Sequence, residues 1–345
     1  MRVAVIILAY NGIADLPRCV ASVVDQEYPK EKLDVIVVDN ASHDGSADLV
    51  AREFPNVHLI RNDQNLGFAG GNNVGIRAAL ERGADAVVFL NQDTYVARDW
   101  ISELVRATGD HPEAGMMQSG VFFADDEEKI QTLGNPLHFL GFGYSGRFGE
   151  RRDERDTLPR KIGYASGASM LVRRGVIERI GMLNDGYFLY HEDLEWSVRA
   201  RLVGYEVMVA PAACTFHRYE FSRNKKKWYW MERNRLWYVA SVYRIPTLIL
   251  LAPAFIAAEI GVWCFALSKG WFVWKLKSVG GFFRVFPQVL RDRNRIQKMR
   301  VVSDRELTKC MTDVLKFDGV TGPLIRIANI PFRMYWTIVK RIIFW

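Results

Sequence analysis

Asp93 closes the run Phe89-Leu90-Asn91-Gln92-Asp93, directly after an apolar stretch at residues 86–90. A carboxylate at the C-terminal lip of a buried strand lies where α/β sheets bind ligands. One acid plus the phosphates of a nucleotide is a common way to hold Mg2+ or Mn2+. A strand-end Asp is also a frequent turn former, so the run alone leaves both roles open. Asp39 ends a second apolar stretch, residues 33–38. There it can accept hydrogen bonds from a base or ribose edge, or serve only the turn into the next helix. Residues 42–46 are expected to cap that helix.

The segment His191-Glu192-Asp193-Leu194-Glu195-Trp196 opens a helix with three acids in four positions. The helix dipole favours acids there, and a carboxylate is also a candidate general base for an attacking hydroxyl. His217 follows a short strand; an imidazole can ligate a divalent metal, although a lone histidine is more often structural. Residues 65–75 are rich in small side chains ahead of a helix. Small residues allow close backbone approach, and a helix N-terminus attracts phosphate. The run matches neither the dinucleotide fingerprint nor a Walker A loop.

Periodicity outlines the elements that must position these groups. Apolar runs at residues 3–9, 33–38, 57–61 and 86–90 predict strands. Helical spacing at 13–26, 47–54, 69–82 and 100–108 predicts the helices between them. Repeating units of this kind call for a mostly parallel α/β sheet with helices on both faces. From 109 to 161 the pattern loosens, and residues 141–146 read as a mobile glycine loop whose Phe142 and Tyr144 are candidates for an acceptor side. A helix at 194–202 and a short strand at 206–209 follow.

A chain of 345 residues allows one large domain or two ordinary ones. Cys19, Cys214, Cys264 and Cys310 form no CxxC pair, which argues against a zinc site or disulfide framework and fits a reducing compartment. The N-terminal apolar run is too short for a signal peptide and reads as the first strand. Charge divides the chain. Residues 1–217 carry 22 basic and 31 acidic side chains, net −9, whereas 218–345 carry 24 and 8, net +16. This points to two functional parts, 1–220 and a basic helical region at 221–345.

Residues 245–267 are apolar except for Pro246, Pro253 and Glu259. That length spans a bilayer core of ~30 Å. Basic flanks on both sides set no orientation, so an in-plane helix on one membrane face competes with a span and with a buried soluble helix. Residues 324–345 lack acids, and Arg326, Arg333 and Lys340 recur every seven positions beside Ile327, Ile330, Met334, Ile338 and Ile342. A basic amphipathic helix of this type suits a membrane surface or a partner protein. Lys225-Lys226-Lys227 among aromatics raises nucleic-acid binding as a competing class, without a recognisable motif.

Several motifs, in order, resemble those of the family 2 glycosyltransferases, and within them the rhamnosyltransferase-type enzymes of surface polysaccharide synthesis. They are Ala9-Tyr10-Asn11, Val38-Asp39-Asn40-Ala41-Ser42-His43-Asp44-Gly45-Ser46, the 65–75 run, Leu90-Asn91-Gln92-Asp93, Gly167-Ala168-Ser169-Met170-Leu171-Val172-Arg173 and the acidic 191–196 segment. The resemblance covers residues 1–240. It implies a GT-A (Rossmann-like) catalytic domain followed by a membrane-associated helical region. It implies inverting transfer from a nucleotide-sugar to a lipid-linked saccharide at the cytoplasmic face of the membrane, with no nucleic-acid partner. The donor expectation is dTDP-rhamnose, with UDP-sugars open. Carried over by motif, Tyr10, Asn11 and Asp39 lie at the nucleotide, with Asp39 on the base. Asn65, Gly71 and Asn72 follow the nucleotide and its phosphates. Asn91 and Asp93 face the diphosphate, where Asp93 holds Mg2+ or Mn2+ with His217 as a second ligand. Asp193 is the catalytic base, Glu192 assists it, and Trp196 shapes the acceptor site. Asn91 stands where the family's usual motif has an acid, which leaves Asp93 as that run's sole carboxylate.

Overall fold

The computed structural model describes residues 1–154, 156–218, 225–316 and 323–345, with the side chains of 323–326 and 328 excepted. Arg326 of the predicted basic face therefore lies outside the described side chains. By packing, the chain forms two compact units. One comprises Met1–Asn135, Ser145–Phe188 and Tyr205–Glu220; the other comprises Pro136–Tyr144, Leu189–Gly204 and Phe221–Trp345. Two internal segments thus group with the C-terminal helices, which a single cut after residue 220 does not express.

The first unit is built on β1 (Val3–Ala9), whose seven residues are all apolar and nearly all buried. A strand with no polar face must be covered on both sides. Val3, Val5, Ile7 and Ala9 share a core with Leu16, Cys19, Val20 and Val23 of α1 (Leu16–Val24) and with Trp100, Ile101 and Leu104 of α4 (Trp100–Asp110). The other face takes α3 (Gly67–Glu81). A Cβ at Gly71 or Gly75 would lie 2.4 Å from Leu8 Cδ1 or Ile6 Cγ2, so glycine is what lets this helix press onto the sheet.

β2 (Leu33–Asp39), α2 (Ser46–Glu53), β3 (His58–Arg61) and β4 (Ala86–Asn91) complete a parallel half with strand order β3-β2-β1-β4. The sheet then continues through β10 (Ser169–Arg173), β6 (Ala114–Phe123), β11 (Glu206–His217) and β5 (Thr94–Val96). β10 is antiparallel to both β4 and β6, while β6 and β11 are parallel. β7 (Asp126–Thr132) and β9 (Arg160–Lys161) extend it, and α5 (Arg174–Ile180) follows β10. β11 runs well past the predicted end at 209. A register shift between Ala210 and Cys214 absorbs Pro211, and pairing then resumes.

The second unit is mostly helical. It contains β8 (Leu137–His138), α6 (Glu192–Leu202), α7 (Lys227–Val242), α8 (Ile245–Ser268), α9 (Phe272–Arg284), α10 (Phe286–Met299), α11 (Asp304–Leu307), β12 (Met311–Thr312) and α12 (Pro323–Ile342). The predicted mobile loop is instead a packed turn. Gly141 N–H donates to His138 O at 2.8 Å, His138 N–H donates to Phe142 O at 2.8 Å, and Phe142 and Tyr144 are buried. The Arg235 guanidinium sits over the Phe142 ring at 4.2 Å, so these rings anchor the turn.

Candidate active site

Strand order reverses beside β1, because β2 and β3 lie on one side and β4 on the other. Ligands of α/β sheets bind outside the strand C-termini at such a reversal. Register brings the ends of these strands level, with Ala9 opposite Asp39 and Leu8 opposite Asn91. Asp39 is buried there. Its Oδ2 accepts from Ser42 N–H at 3.3 Å, while its Oδ1 has no partner among the described residues. An unpartnered buried carboxylate oxygen is costly, and a ligand N–H would satisfy it.

Side chains staple the surrounding loops. Asn11 N–H donates to Ser42 Oγ at 2.9 Å, and His43 N–H donates to Asn11 Oδ1 at 2.9 Å. Ile13 N–H donates to Asp44 Oδ2 at 2.9 Å. The expected helix cap at 42–46 is not formed, since α2 starts after Gly45 without a side-chain cap and Ser46 Oγ accepts from Gly12 N–H instead. Gln92 clamps the backbone of Tyr10 both ways, at 2.8 and 3.1 Å, while Tyr10 remains partly exposed. Asn40 accepts from Leu66 N–H and Asn62 Nδ2 and donates to Asn65 Oδ1 and Gly67 O.

The antiparallel pairing of His217 with Thr94 carries the histidine from β11 to the Asn91–Asp93 turn. His217 Nε2 and Asp93 Oδ1 are 3.1 Å apart, and Arg218 N–H donates to Asp93 O at 2.9 Å. His217 Nδ1 faces Gln131 Oε1 at 2.8 Å, so the tautomer protonated at Nδ1 would leave the Nε2 lone pair for a cation beside the Asp93 carboxylate. Two adjacent ligands on an octahedral ion with bonds of ~2.1 Å are roughly 3 Å apart, so this pair fits a divalent cation. Among the described residues no group of three or more His, Cys, Asp or Glu side chains could hold a metal. A cation held at this turn would therefore take two donor atoms from these side chains.

Asn65, Gly71 and Asn72, expected along the nucleotide, also make contacts within the fold. The glycine-rich run does not precede the helix; from Gly67 onward it is α3 itself. Asn65 Oδ1 accepts from Gly67 N–H at 2.8 Å, and Phe188 O accepts from Phe68 N–H at 2.7 Å, so the first amides of the helix are taken. Gly71 packs on Leu8, and Asn72 is buried with its Nδ2 donating to Phe68 O at 3.0 Å.

In the helical unit, α6 begins at Glu192 after backbone held in the left-handed region at Tyr190 (φ 67°) and His191 (φ 70°). Such conformations cost on the order of 1–3 kcal/mol each and persist where neighbours enforce them. Asn234 Nδ2 does so by donating to Leu189 O at 2.9 Å and Tyr190 O at 2.7 Å. His191 Nε2 meets Gly141 O at 3.1 Å, and burial lowers this imidazole to about 4, keeping it neutral. Glu192 is buried and its Oε2 has no partner among the described residues. Burial, and then the adjacent Asp193 charge, push Glu192 well above the usual carboxylate range. Burial thus favours the protonated form of Glu192 beside Asp193. Asp193 is partly exposed, and its Oδ1 accepts from Leu194 N–H at 2.7 Å. Trp196 is fully buried, so the expected acceptor contact is replaced by a packing role.

The glycosyl transferase family 2 description matches residues 4–181, just over half of the chain. The chain belongs to this family. The glycosyltransferase is 27% identical over 234 residues to N-acetylglucosaminyl-diphospho-decaprenol L-rhamnosyltransferase of Mycobacterium tuberculosis, covering 62% of this chain and 75% of the relative. Among solved structures it resembles S. aureus TarS 1-349 in complex with UDP, with TM-score 0.53 and 16% identity, covering 99% of this chain and 90% of that one. It also resembles GalNAc-T7 with UDP, GalNAc and Mn2+, with TM-score 0.55 and 14% identity, covering 70% of this chain and 48% of that one. The fold is GT-A-like. Sequence reading missed the glycosyltransferase's positioning residues Asn40, Gln92, Gln131 and Asn234. Polar residues inside or beside the quoted motifs were the available signal, but side-chain-to-backbone clamps follow no periodicity.

Proposed function

We propose that this glycosyltransferase catalyses inverting transfer of a sugar, rhamnose-type, from a pyrimidine nucleotide-sugar to a lipid-linked saccharide at the cytoplasmic membrane face. The proposed division assigns the catalytic part to residues 1–220 and membrane association to 221–345. The unpartnered Oδ1 of buried Asp39 at the strand reversal carries the donor reading. Uracil and thymine both present an N3–H that would satisfy it, so dTDP- and UDP-sugars share this recognition. The exposed Tyr10 ring would stack on the base, with Asn11 and Asn65 holding the loops around it. The mycobacterial relative's rhamnose and polyprenyl-linked acceptor support the choice of sugar and acceptor class.

Asp93 and His217 would hold Mg2+ or Mn2+, and Asn91 would line the diphosphate. When bound, such an ion supplies charge neutralisation for the departing diphosphate; the Mn2+ in the GalNAc-T7 structure accords with this. Asp193 takes the proton from the acceptor hydroxyl, whose oxygen then bonds to the anomeric carbon as the bond to the diphosphate oxygen breaks. One displacement inverts the centre. Glu192, whose burial favours the protonated form, could then donate a hydrogen bond to the acceptor.

A panel of nucleotide-sugars, with and without Mn2+, tests the reading by thermal shift, because a ligand that binds the native state raises its stability. A dTDP- or UDP-sugar should raise the midpoint, more so with Mn2+, and Asp39→Asn should weaken that binding on the order of 10-fold or more, as loss of a hydrogen bond to a charged group implies. No response to any pyrimidine nucleotide-sugar would refute the donor assignment.

A further inference from the structure

We propose that the helical unit lies on an anionic bilayer through the outer stripes of α8, α9 and α12, and that α8 rests in the membrane interface without crossing it. This rests on the membrane association proposed above and specifies its surface and mode. Among the described residues α8 is the one helix long and apolar enough to cross a membrane by length and composition. Its two faces differ in what covers them. Thr247, Leu251, Ala254, Ala258 and Ala266 are buried on the unit. Ile245, Ile249, Ile256, Ile260 and Leu267 form an opposite stripe, each more than half exposed, at spacings of four, seven, four and seven. α9 exposes Val273, Leu276 and Phe283, and α12 exposes Ile330, Met334, Ile338 and Ile342. Apolar surface repeated on three neighbouring helices is more than water-soluble monomers usually leave uncovered.

Both ends of α8 are tied to the same body. At its start, Arg244 N–H and Thr247 Oγ1 donate to Asp304 Oδ2 at 2.9 and 2.5 Å, and Trp345 Nε1 donates to Thr247 Oγ1 at 2.8 Å. At its end, Lys225 Nζ donates to Gly270 O at 3.0 Å, and Trp271 stacks on Trp228 at 4.7 Å. Midway, Glu259 pairs with Lys275 of α9 at 2.8 Å and with Arg235 of α7. α7, joined to α8 by Tyr243 and Arg244 alone, therefore runs back beside it and carries buried Glu232, Arg233 and Arg235. A crossing α8 would take these charges and α9 across with it. α9 has 13 residues, about 20 Å of helix, which is too short for a ~30 Å core.

Charge selects lipid as the occupant. Residues 218–345 carry net +16, and the exposed stripes are flanked by Lys269, Lys277, Arg284, Arg333, Lys340 and Arg341, all exposed. A second copy would bring cation against cation, whereas anionic headgroups complement the rim as acyl chains cover the stripe.

The full chain should co-sediment with phosphatidylcholine–phosphatidylglycerol vesicles and far less with phosphatidylcholine alone. Ile249→Asp/Ile256→Asp/Ile260→Asp should lower partitioning at least 10-fold while nucleotide-sugar thermal shifts persist, which shows that the variant is folded. Unchanged partitioning of that variant, or a fall in its oligomeric state instead, would overturn the proposal. Placement is read in a Cys264→Ser background with Arg244→Cys or Lys269→Cys at either end of α8. On membranes of a bacterial expression host, an impermeant maleimide should label both in inside-out vesicles and neither in right-side-out ones. One in each orientation would mean a crossing helix and would sink the in-plane placement alone. Failure of the full chain to bind any vesicle would sink the membrane reading itself.

Discussion

The sheet unit and the helical unit dispose of charge in different ways. In the sheet unit, ion pairs such as Arg106–Glu103 and Arg174–Glu178 lie at the surface, and the core is apolar. The helical unit also has surface pairs such as Lys309–Glu306, but it adds buried ones: Arg199–Glu195 at 2.7 Å, Arg300–Asp304 at 2.6 Å, and a cluster in which Arg235 and Lys275 neutralise Glu232 and Glu259. Burial alone would raise Glu232, but Arg235 and Lys275 outweigh it and hold it at about 2. Large exposed apolar side chains number five in the sheet unit and eighteen in the helical unit, among the described residues. One unit is finished for water on its outer faces. The other pairs its buried charges with one another and leaves apolar side chains exposed, which is the pattern the proposed membrane placement requires.

The proposed mechanism follows the same division, assigning donor recognition to residues of the sheet unit and the base to the helical unit, and the largest expected effect tests it. Asp193→Asn should lower kcat by about 10²- to 10⁴-fold, the contribution of general-base catalysis. The midpoint shift produced by the nucleotide-sugar should stay unchanged, because Asp39, Asp93 and His217 are untouched. Parallel loss of donor binding and turnover would show that the two units do not divide the work. Full activity would remove Asp193 from the mechanism.

Next in size is a stability comparison. Lys275→Met should destabilise by about 3–5 kcal/mol, since it leaves Glu232 and Glu259 to share Arg235 alone, with one negative charge uncompensated in a buried cluster. Arg106→Ala in the sheet unit should cost about 0–1 kcal/mol, the range of exposed pairs. Urea unfolding in the presence of anionic vesicles measures both. Equal losses would mean that the buried cluster is no more than a surface pair in its energetics.

How much could be read from residues alone follows the same physics. β1, β2 and β4 were legible because strands covered on both faces need unbroken apolar runs, and Asp39 and Asp93 stand out where those runs stop. β6 was not. Its Ala114-Gly115-Met116-Met117-Gln118-Ser119-Gly120 stretch has weak strand propensity, and it is the pairing with β10 and β11 that makes it a strand. His217 was visible as a residue, but its place beside Asp93 depends on β11 continuing past Pro211. Glycines at 71 and 75 looked like a ligand loop because close approach to a ligand and close approach to a sheet require the same missing Cβ. Trp196 took its acceptor-site expectation from the resemblance alone, and its place in the core, 0% exposed, could not be read from the acids beside it.

The smallest effect separates the two neighbouring acids of α6 by pH. Glu192 is raised in the folded state above its ordinary value of about 4.3. Between those values the native state holds more protons than the unfolded chain, so stability declines as pH rises through that window. Glu232 acts in the opposite sense and lower down: its stabilisation is present above about 4.3 and is lost as pH falls toward 2. The two therefore do not overlap. Glu192→Gln removes the titration while keeping a neutral side chain of the same shape. Its melting temperature should match the parent's near the ordinary carboxylate value and exceed it increasingly as pH rises above that, with kcat reduced far less than by Asp193→Asn. Superimposable melting profiles would show that Glu192 titrates alike in the native and unfolded chains, and the upward shift argued for it would fall with that result.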